Sequence, residues 1–180
     1  VQRLAASAEY FGFEFDPQTI ALQVSGLAPV TTLHRLRLTL ARTGAVLVEV
    51  LPVADAPMPV RLALPDSRVR SDDPFCCHKT TNRAVYDRAR AVRPDVDDVV
   101  MVNEHGEVVE TTIANLLYRR DDRWFTPPLT SGGLPGVARS LLVEAGEVSE
   151  RVLLADELPE CDAFEVVSAL RGRRAAILVP

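Results

Sequence analysis

The sequence predicts a two-part α/β (α+β) chain: a small α/β domain over residues 1–51, a linker at 52–59 and a larger strand-rich domain over 60–180. Three observations carry this. Helix-period patterns near the start give way to an alternating strand pair. The linker stretch holds prolines at 52, 57 and 59. The remainder breaks into short apolar runs of strand type, interrupted by two helix patterns.

Val1, Leu4, Ala8 and Phe11 recur at helical spacing, and Gly12 stands where such a helix stops. No capping residue precedes Val1, so the native chain is expected to begin earlier. A second helix pattern covers 19–24. Over 33–40 leucine alternates with arginine, as in a half-buried strand, and after the Thr43-Gly44 turn 46–50 continues as strand. Proline lacks an N–H and fixes φ, so the stretch 52–59 opposes helix and central strand alike. Beyond it, 60–64 reads as strand and 84–91 as a short helix. The segments 99–102, 108–110, 113–118 and 124–125 form a meander, its first turn at Asn103-Glu104-His105-Gly106. A helix over 136–144 stops at Gly146, and strands are expected at 152–154, 163–167 and 175–179.

The net charge of −5 is small and both signs are interspersed, which argues against a nucleic-acid partner. No apolar run approaches the length of a membrane span, and the N-terminus has no signal-peptide pattern, so a cytoplasmic location is expected. Three cysteines, two adjacent at Cys76 and Cys77, fit neither a disulfide framework nor zinc spacing, and are expected to be reduced and structural.

Of the 20 basic residues only Lys79 is lysine. Arginine replaces lysine on a solvated surface but cannot serve as a neutral amine, so a sole lysine is a candidate for chemistry. A chain that merely prefers arginine would show the same count. Lys79 follows an apolar Phe75-Cys76-Cys77 run, compatible with the burial that lowers an amine's pKa. Glu110 sits between Val108-Val109 and an apolar strand, a poor place for an idle acid, whereas Glu104 and Glu107 read as solvent-facing. Gly132 to Arg139 is a glycine-bearing loop entering a helix, a geometry that presents amides to an anion or merely connects two elements. His34, His78 and His105 lack metal-ligand spacing, so no metal is expected. Ser25, Ser131 and Ser168 lack the hydrolase elbow, and the Asp72-Asp73 and Asp97-Asp98 pairs read as solvated caps.

Four local patterns occur in one order: Phe75-Cys-Cys-His-Lys-Thr-Thr-Asn-Arg83; 103–110 followed by Thr111-Thr-Ile-Ala-Asn-Leu116; Thr126-Pro-Pro-Leu129 running into Gly132-Gly-Leu-Pro-Gly-Val-Ala-Arg139; and Val167-Ser-Ala-Leu-Arg-Gly172. Together they resemble the class IV aminotransferases, pyridoxal 5'-phosphate enzymes, and Gln2-Arg3-Leu4 resembles an early helix of that family. The resemblance implies a D-amino-acid-aminotransferase-like fold, here a truncated small α/β domain plus a larger pseudo-barrel domain. It implies Lys79 as the catalytic residue that holds the cofactor and moves the substrate proton, and Glu110 as the carboxylate behind the pyridine nitrogen. It also implies Arg3, the amides of Val137 and Ala138, and Ser168 as phosphate contacts. Many relatives carry threonine where Ala138 stands, so this position keeps the amide and loses a hydroxyl.

Within the family, the stretch 167–175 and the neighbourhood of Lys79 resemble the lyases that convert 4-amino-4-deoxychorismate to 4-aminobenzoate and pyruvate in folate precursor synthesis. Arg171 is then a candidate for a substrate carboxylate. The alternatives are a transaminase for branched-chain or D-amino acids and, in another class, a non-catalytic fragment or binding module lacking the family's N-terminal segment. The resemblance further implies a homodimer, fused or coupled to an aminodeoxychorismate synthase component.

Overall fold

The computed structural model describes residues 1–27, 31–65 and 67–180. They fall into two units, Val1–Ala56 and Pro57–Pro180. In the first, helix α1 (Gln2–Phe11) ends at Gly12. Helix α2 (Pro17–Ser25) begins at Asp16, whose carboxylate accepts from the amides of Gln18 at 3.0 Å and Thr19 at 3.1 Å, while Pro17 fills the first turn, where no donor is needed. Strands β1 (His34–Leu40) and β2 (Val46–Pro52) form an antiparallel hairpin with Leu36 opposite Val50 and Leu38 opposite Val48.

The second unit is built on an eight-stranded sheet. Its strands are β3 (Val60–Ala63), β4 (Asp98–Val102), β5 (Val108–Thr111), β6 (Asn115–Arg120), β7 (Arg123–Thr126), β8 (Ser149–Glu150), β9 (Ala163–Ser168) and β10 (Gly172–Leu178), in the order β5-β4-β3-β10-β9-β6-β7-β8. The pairs β3·β10, β3·β4 and β7·β8 are parallel and the others antiparallel. The edge strand β5 leads straight into β6 through a turn closed by Thr111 N–H to Ala114 O at 2.8 Å.

Strand β4 is buried on both faces, as its unbroken Val-Val-Met-Val run requires. Val100 and Val102 enter the main core with Leu62, Leu116, Tyr118 and Val166. Val99 and Met101 face the other way, onto Tyr86 and Ala89 of helix α4 (Ala84–Ala91). Helix α5 (Val137–Glu144) lays Ala138 and Leu142 against Leu117, Val148 and Val167 on a third cluster. Val99, Met101, Leu117 and Val167 all alternate with main-core residues along their strands, so α4 and α5 cover the same face of the sheet, the one turned away from the main core.

Two expectations are corrected. The strand expected at 152–154 is replaced by β8 and a 3₁₀ turn, Ala155–Glu160, which Glu157 caps by accepting the Leu154 amide at 2.9 Å, so the segment pairs only through the single bridge of Leu154 with Glu107. Asp98 is no solvated cap. It is 1% exposed at the head of β4, where one carboxylate oxygen accepts from the amides of Val99 at 2.8 Å and Thr112 at 3.1 Å and from the Thr112 hydroxyl.

Candidate active site

The turn between β5 and β6 is held from inside and from below. Inside it, the Thr111 hydroxyl donates to Ala114 O at 2.9 Å and accepts the Ala114 amide at 3.1 Å. Below it, Asp98 holds Thr112. A turn fixed this way makes the residues before and after it neighbours, and Asn115 Nδ2 donates to Glu110 Oε2 at 3.0 Å. From α4, the Tyr86 hydroxyl donates to Glu110 Oε1 at 2.8 Å, and the Leu134 amide also donates to the carboxyl group.

Glu110 is 5% exposed. Burial pushes its carboxyl up to about 8, against the pull of the hydrogen bonds from Tyr86 and Leu134 and of the positive charges of Lys79 and Arg83. By contrast, Glu104 is exposed and accepts from the Ser71 amide and hydroxyl, and Glu107 accepts from Asn103.

Lys79 follows the short helix α3 (Pro74–Cys77), whose first turn is capped by Asp73 through the Phe75 amide at 2.8 Å. The apolar run before it divides: Cys76 is buried, whereas Phe75 is 36% exposed. Lys79 is itself exposed, not buried as its neighbours suggested, because His78 leaves the helix in an extended conformation and carries the chain outward. It lines a pocket with His78, Asn82, Arg83, Tyr86 and Leu134. The access a reacting amine needs is therefore present, and the neighbouring charge comes from Arg83 and Glu110. Burial pushes the Cys76 thiol up to about 12 and raises that of Cys77, so neither is a thiolate at neutral pH.

The loop leading to α5 works at close quarters. A Cβ on Gly132, whose φ is 100°, would lie 2.6 Å from Ser71 Cα. One on Gly136 would overlap Asn115 Oδ1. Asn115 also donates to Leu134 O at 3.0 Å, so a single side chain ties Glu110 to the approach of α5. The helix starts at Gly136 with no side chain capping its amides. Val137 is exposed there and Ala138 is half-buried. Arg139 is occupied structurally, donating to Pro127 O at 2.8 Å and pairing with Glu150.

Ser168 ends β9, and its hydroxyl accepts from the Arg171 amide at 3.3 Å in the turn to β10. The residue before it, Val167, lies opposite Asn115 in register. Glu110, Asn115, Ser168 and Arg171 thus share one end of the sheet, and the charge of Lys79 acts on Glu110, whose partners Tyr86 and Leu134 line the pocket with Lys79. Arg3 lies half-buried on α1 in the other unit. Asn115 and Arg83 stand within the quoted patterns and Tyr86 on the α4 pattern, but the sequence assigns none of them a role, because asparagine after a turn and tyrosine on an amphipathic helix are ordinary.

Pyridoxal phosphate presents a basic ring nitrogen and a phosphate. The residues of the second unit fit both: a buried carboxylate fixed by donors at each oxygen, and an uncapped helix start closed by a glycine that no Cβ could replace. Among the described residues no group of three His, Cys, Asp or Glu side chains is placed to share a metal ion, and no helix is long and apolar enough to cross a membrane.

A model of the amino-transferase class IV family matches residues 1–176. A Schizosaccharomyces pombe protein provisionally named an aminodeoxychorismate lyase is 32% identical over 157 residues, 83% of this chain and 68% of that protein. An aminodeoxychorismate lyase from Vibrio harveyi is 33% identical over 126 residues, 63% of this chain and 46% of its own length. Among solved structures, a Mesorhizobium loti protein provisionally named an amino-acid aminotransferase superposes with a TM-score of 0.90 at 35% identity, covering 99% of this chain and 89% of that one. A Thermotoga maritima protein provisionally named a branched-chain aminotransferase shares the fold, with a TM-score of 0.75 at 22% identity, and this chain covers 69% of it.

Proposed function

Because the chain belongs to the class IV aminotransferase family of pyridoxal-phosphate enzymes, we propose that it is an aminodeoxychorismate lyase, converting 4-amino-4-deoxychorismate to 4-aminobenzoate and pyruvate. The observation that carries the cofactor half of this reading is Glu110, a buried carboxylate held at both oxygens beside the pocket that Lys79 lines. The lyase half is favoured by two relatives bearing that name and by the stretch 167–175 at the same end of the sheet.

When bound, the cofactor supplies an electron sink for the carbon that bears the substrate amine. Each residue then has one task. Lys79 would hold the cofactor aldehyde, and its amine would take the proton from the amine-bearing carbon of the substrate. The Glu110 carboxylate keeps a proton on the ring nitrogen. The amides of Val137 and Ala138, the Ser168 hydroxyl and the Arg3 guanidinium hold the phosphate, and Arg171 pairs with a substrate carboxylate. Loss of the three-carbon fragment leaves an aromatic ring, so orientation and proton handling suffice. We read the enzyme as a cytoplasmic homodimer, fused or coupled to the synthase component that makes its substrate.

The transaminase reading is favoured by one observation, the Mesorhizobium loti structure named for amino-acid transfer. The two part on a co-substrate. Given pyridoxal phosphate and 4-amino-4-deoxychorismate alone, a lyase releases 4-aminobenzoate and pyruvate in equal amounts, and Lys79→Ala releases neither. Turnover that requires a 2-oxo acid and yields its amino acid establishes the transaminase. A chain that takes up no cofactor is the non-catalytic module.

A further inference from the structure

We infer that Tyr86 is a positioning residue of this site: its hydroxyl fixes the Glu110 carboxylate toward the cofactor's ring nitrogen and links that carboxylate to the segment bearing Lys79. The inference rests on the cofactor reading above and adds a residue to it.

Tyr86 is buried on α4, and its Oη lies between two acceptors, Glu110 Oε1 at 2.8 Å and the Cys76 carbonyl at 3.4 Å. Cys76 precedes Lys79 by three residues on the same segment. The ring cannot swing away. The Arg83 guanidinium covers it, 4.8 Å from the ring centroid, while donating to Thr112 O at 2.5 Å, so the start of α4 is tied to the β5–β6 turn. With Oε1 held by Tyr86 and Oε2 by Asn115, the carboxylate cannot rotate.

The hydroxyl also suits both protonation states. It donates to Glu110 when the carboxylate is ionised. When Glu110 is neutral, its proton can be given to Tyr86 Oη, and the phenol hydrogen turns to the Cys76 carbonyl, leaving no buried polar group unpaired. Burial and the Glu110 charge push the phenol far above its usual range, so Tyr86 keeps its own hydrogen throughout. The other charged or titratable groups acting here are Lys79, Cys76 and Cys77 from the α3 segment and Arg83 from α4.

The test is Tyr86→Phe, which keeps the ring and removes the hydroxyl. In the cofactor-free protein, urea stability against pH reads the Glu110 titration. Losing a charge-assisted donor moves its midpoint up by about one pH unit. A purely structural loss lowers stability equally at every pH and leaves the midpoint in place. With pyridoxal phosphate, Tyr86→Phe is still fixed at Lys79 by borohydride but binds the cofactor about tenfold more weakly. An unmoved midpoint together with unchanged affinity overturns the role of Tyr86. Wild type that borohydride fails to fix at Lys79 overturns the cofactor reading instead, whatever the midpoint does.

Discussion

Replacing Glu110 with glutamine isolates the buried carboxyl as a source of pH-dependent stability. In the cofactor-free protein the group moves from an ordinary value of 4.5 to about 8 on folding. Its folded pKa is raised, so the folded state binds the proton more tightly than the unfolded chain. The stabilisation this gives is fully present below 4.5 and is lost as pH climbs through about 8. Each tenfold gain in proton affinity corresponds to about 1.4 kcal/mol, so wild type should lose up to about 5 kcal/mol across that window from this group. Glutamine does not titrate, and it can be accommodated: its oxygen accepts from Asn115 and Leu134, its amide donates to the Tyr86 hydroxyl, and the phenol hydrogen turns to the Cys76 carbonyl. The assay is urea unfolding of both proteins at half-unit intervals of pH, with the difference removing every other group's contribution. Parallel curves for the two proteins would refute the argument, since Glu110 would then be ionised at no net cost in the folded state.

Two further substitutions probe the rest of the site. Gly136→Ala forces a Cβ into Asn115 Oδ1 and must displace the side chain that holds Glu110; it should cost about 1–3 kcal/mol in urea and weaken pyridoxal phosphate binding in parallel, where a stable protein with unchanged affinity would contradict the close approach. Arg171→Ala should raise KM for 4-amino-4-deoxychorismate at least about tenfold with kcat little changed, the signature of a lost binding contact; an unchanged KM removes Arg171 from the substrate site.

What the sequence disclosed and what it withheld divide along physical lines. Helix α4 was legible because Tyr86 and Ala89 turn to the core at helical spacing. The β1–β2 hairpin was legible because its apolar–polar alternation and the Thr43-Gly44 turn are written at short range, although no residue of the hairpin is buried. The segment 152–154 reads as a strand because it is an apolar run, but it pairs only through the bridge of Leu154 with Glu107 before the chain enters the 3₁₀ turn, too briefly to form a strand. Asp98 was misjudged because what decides its burial is Thr112, fourteen residues away and visible only once β5 turns back on β4.

The site shows the same split more sharply. Lys79 stood out by being the sole lysine, and Glu110 by its apolar flanks. Neither cue says what the residue touches. The partners that fix the Glu110 carboxyl, and that offset part of the upward push from its burial, come from three separate elements: Tyr86 from α4, Asn115 from β6 and Leu134 from the loop before α5. They converge because Arg83 at the start of α4 donates to Thr112 in the β5–β6 turn and Asn115, just after that turn, donates to Leu134 on the approach to α5. A buried carboxylate is costly to assemble even with a donor on each oxygen. The arrangement becomes favourable when a cation, such as a protonated ring nitrogen, sits against the carboxylate.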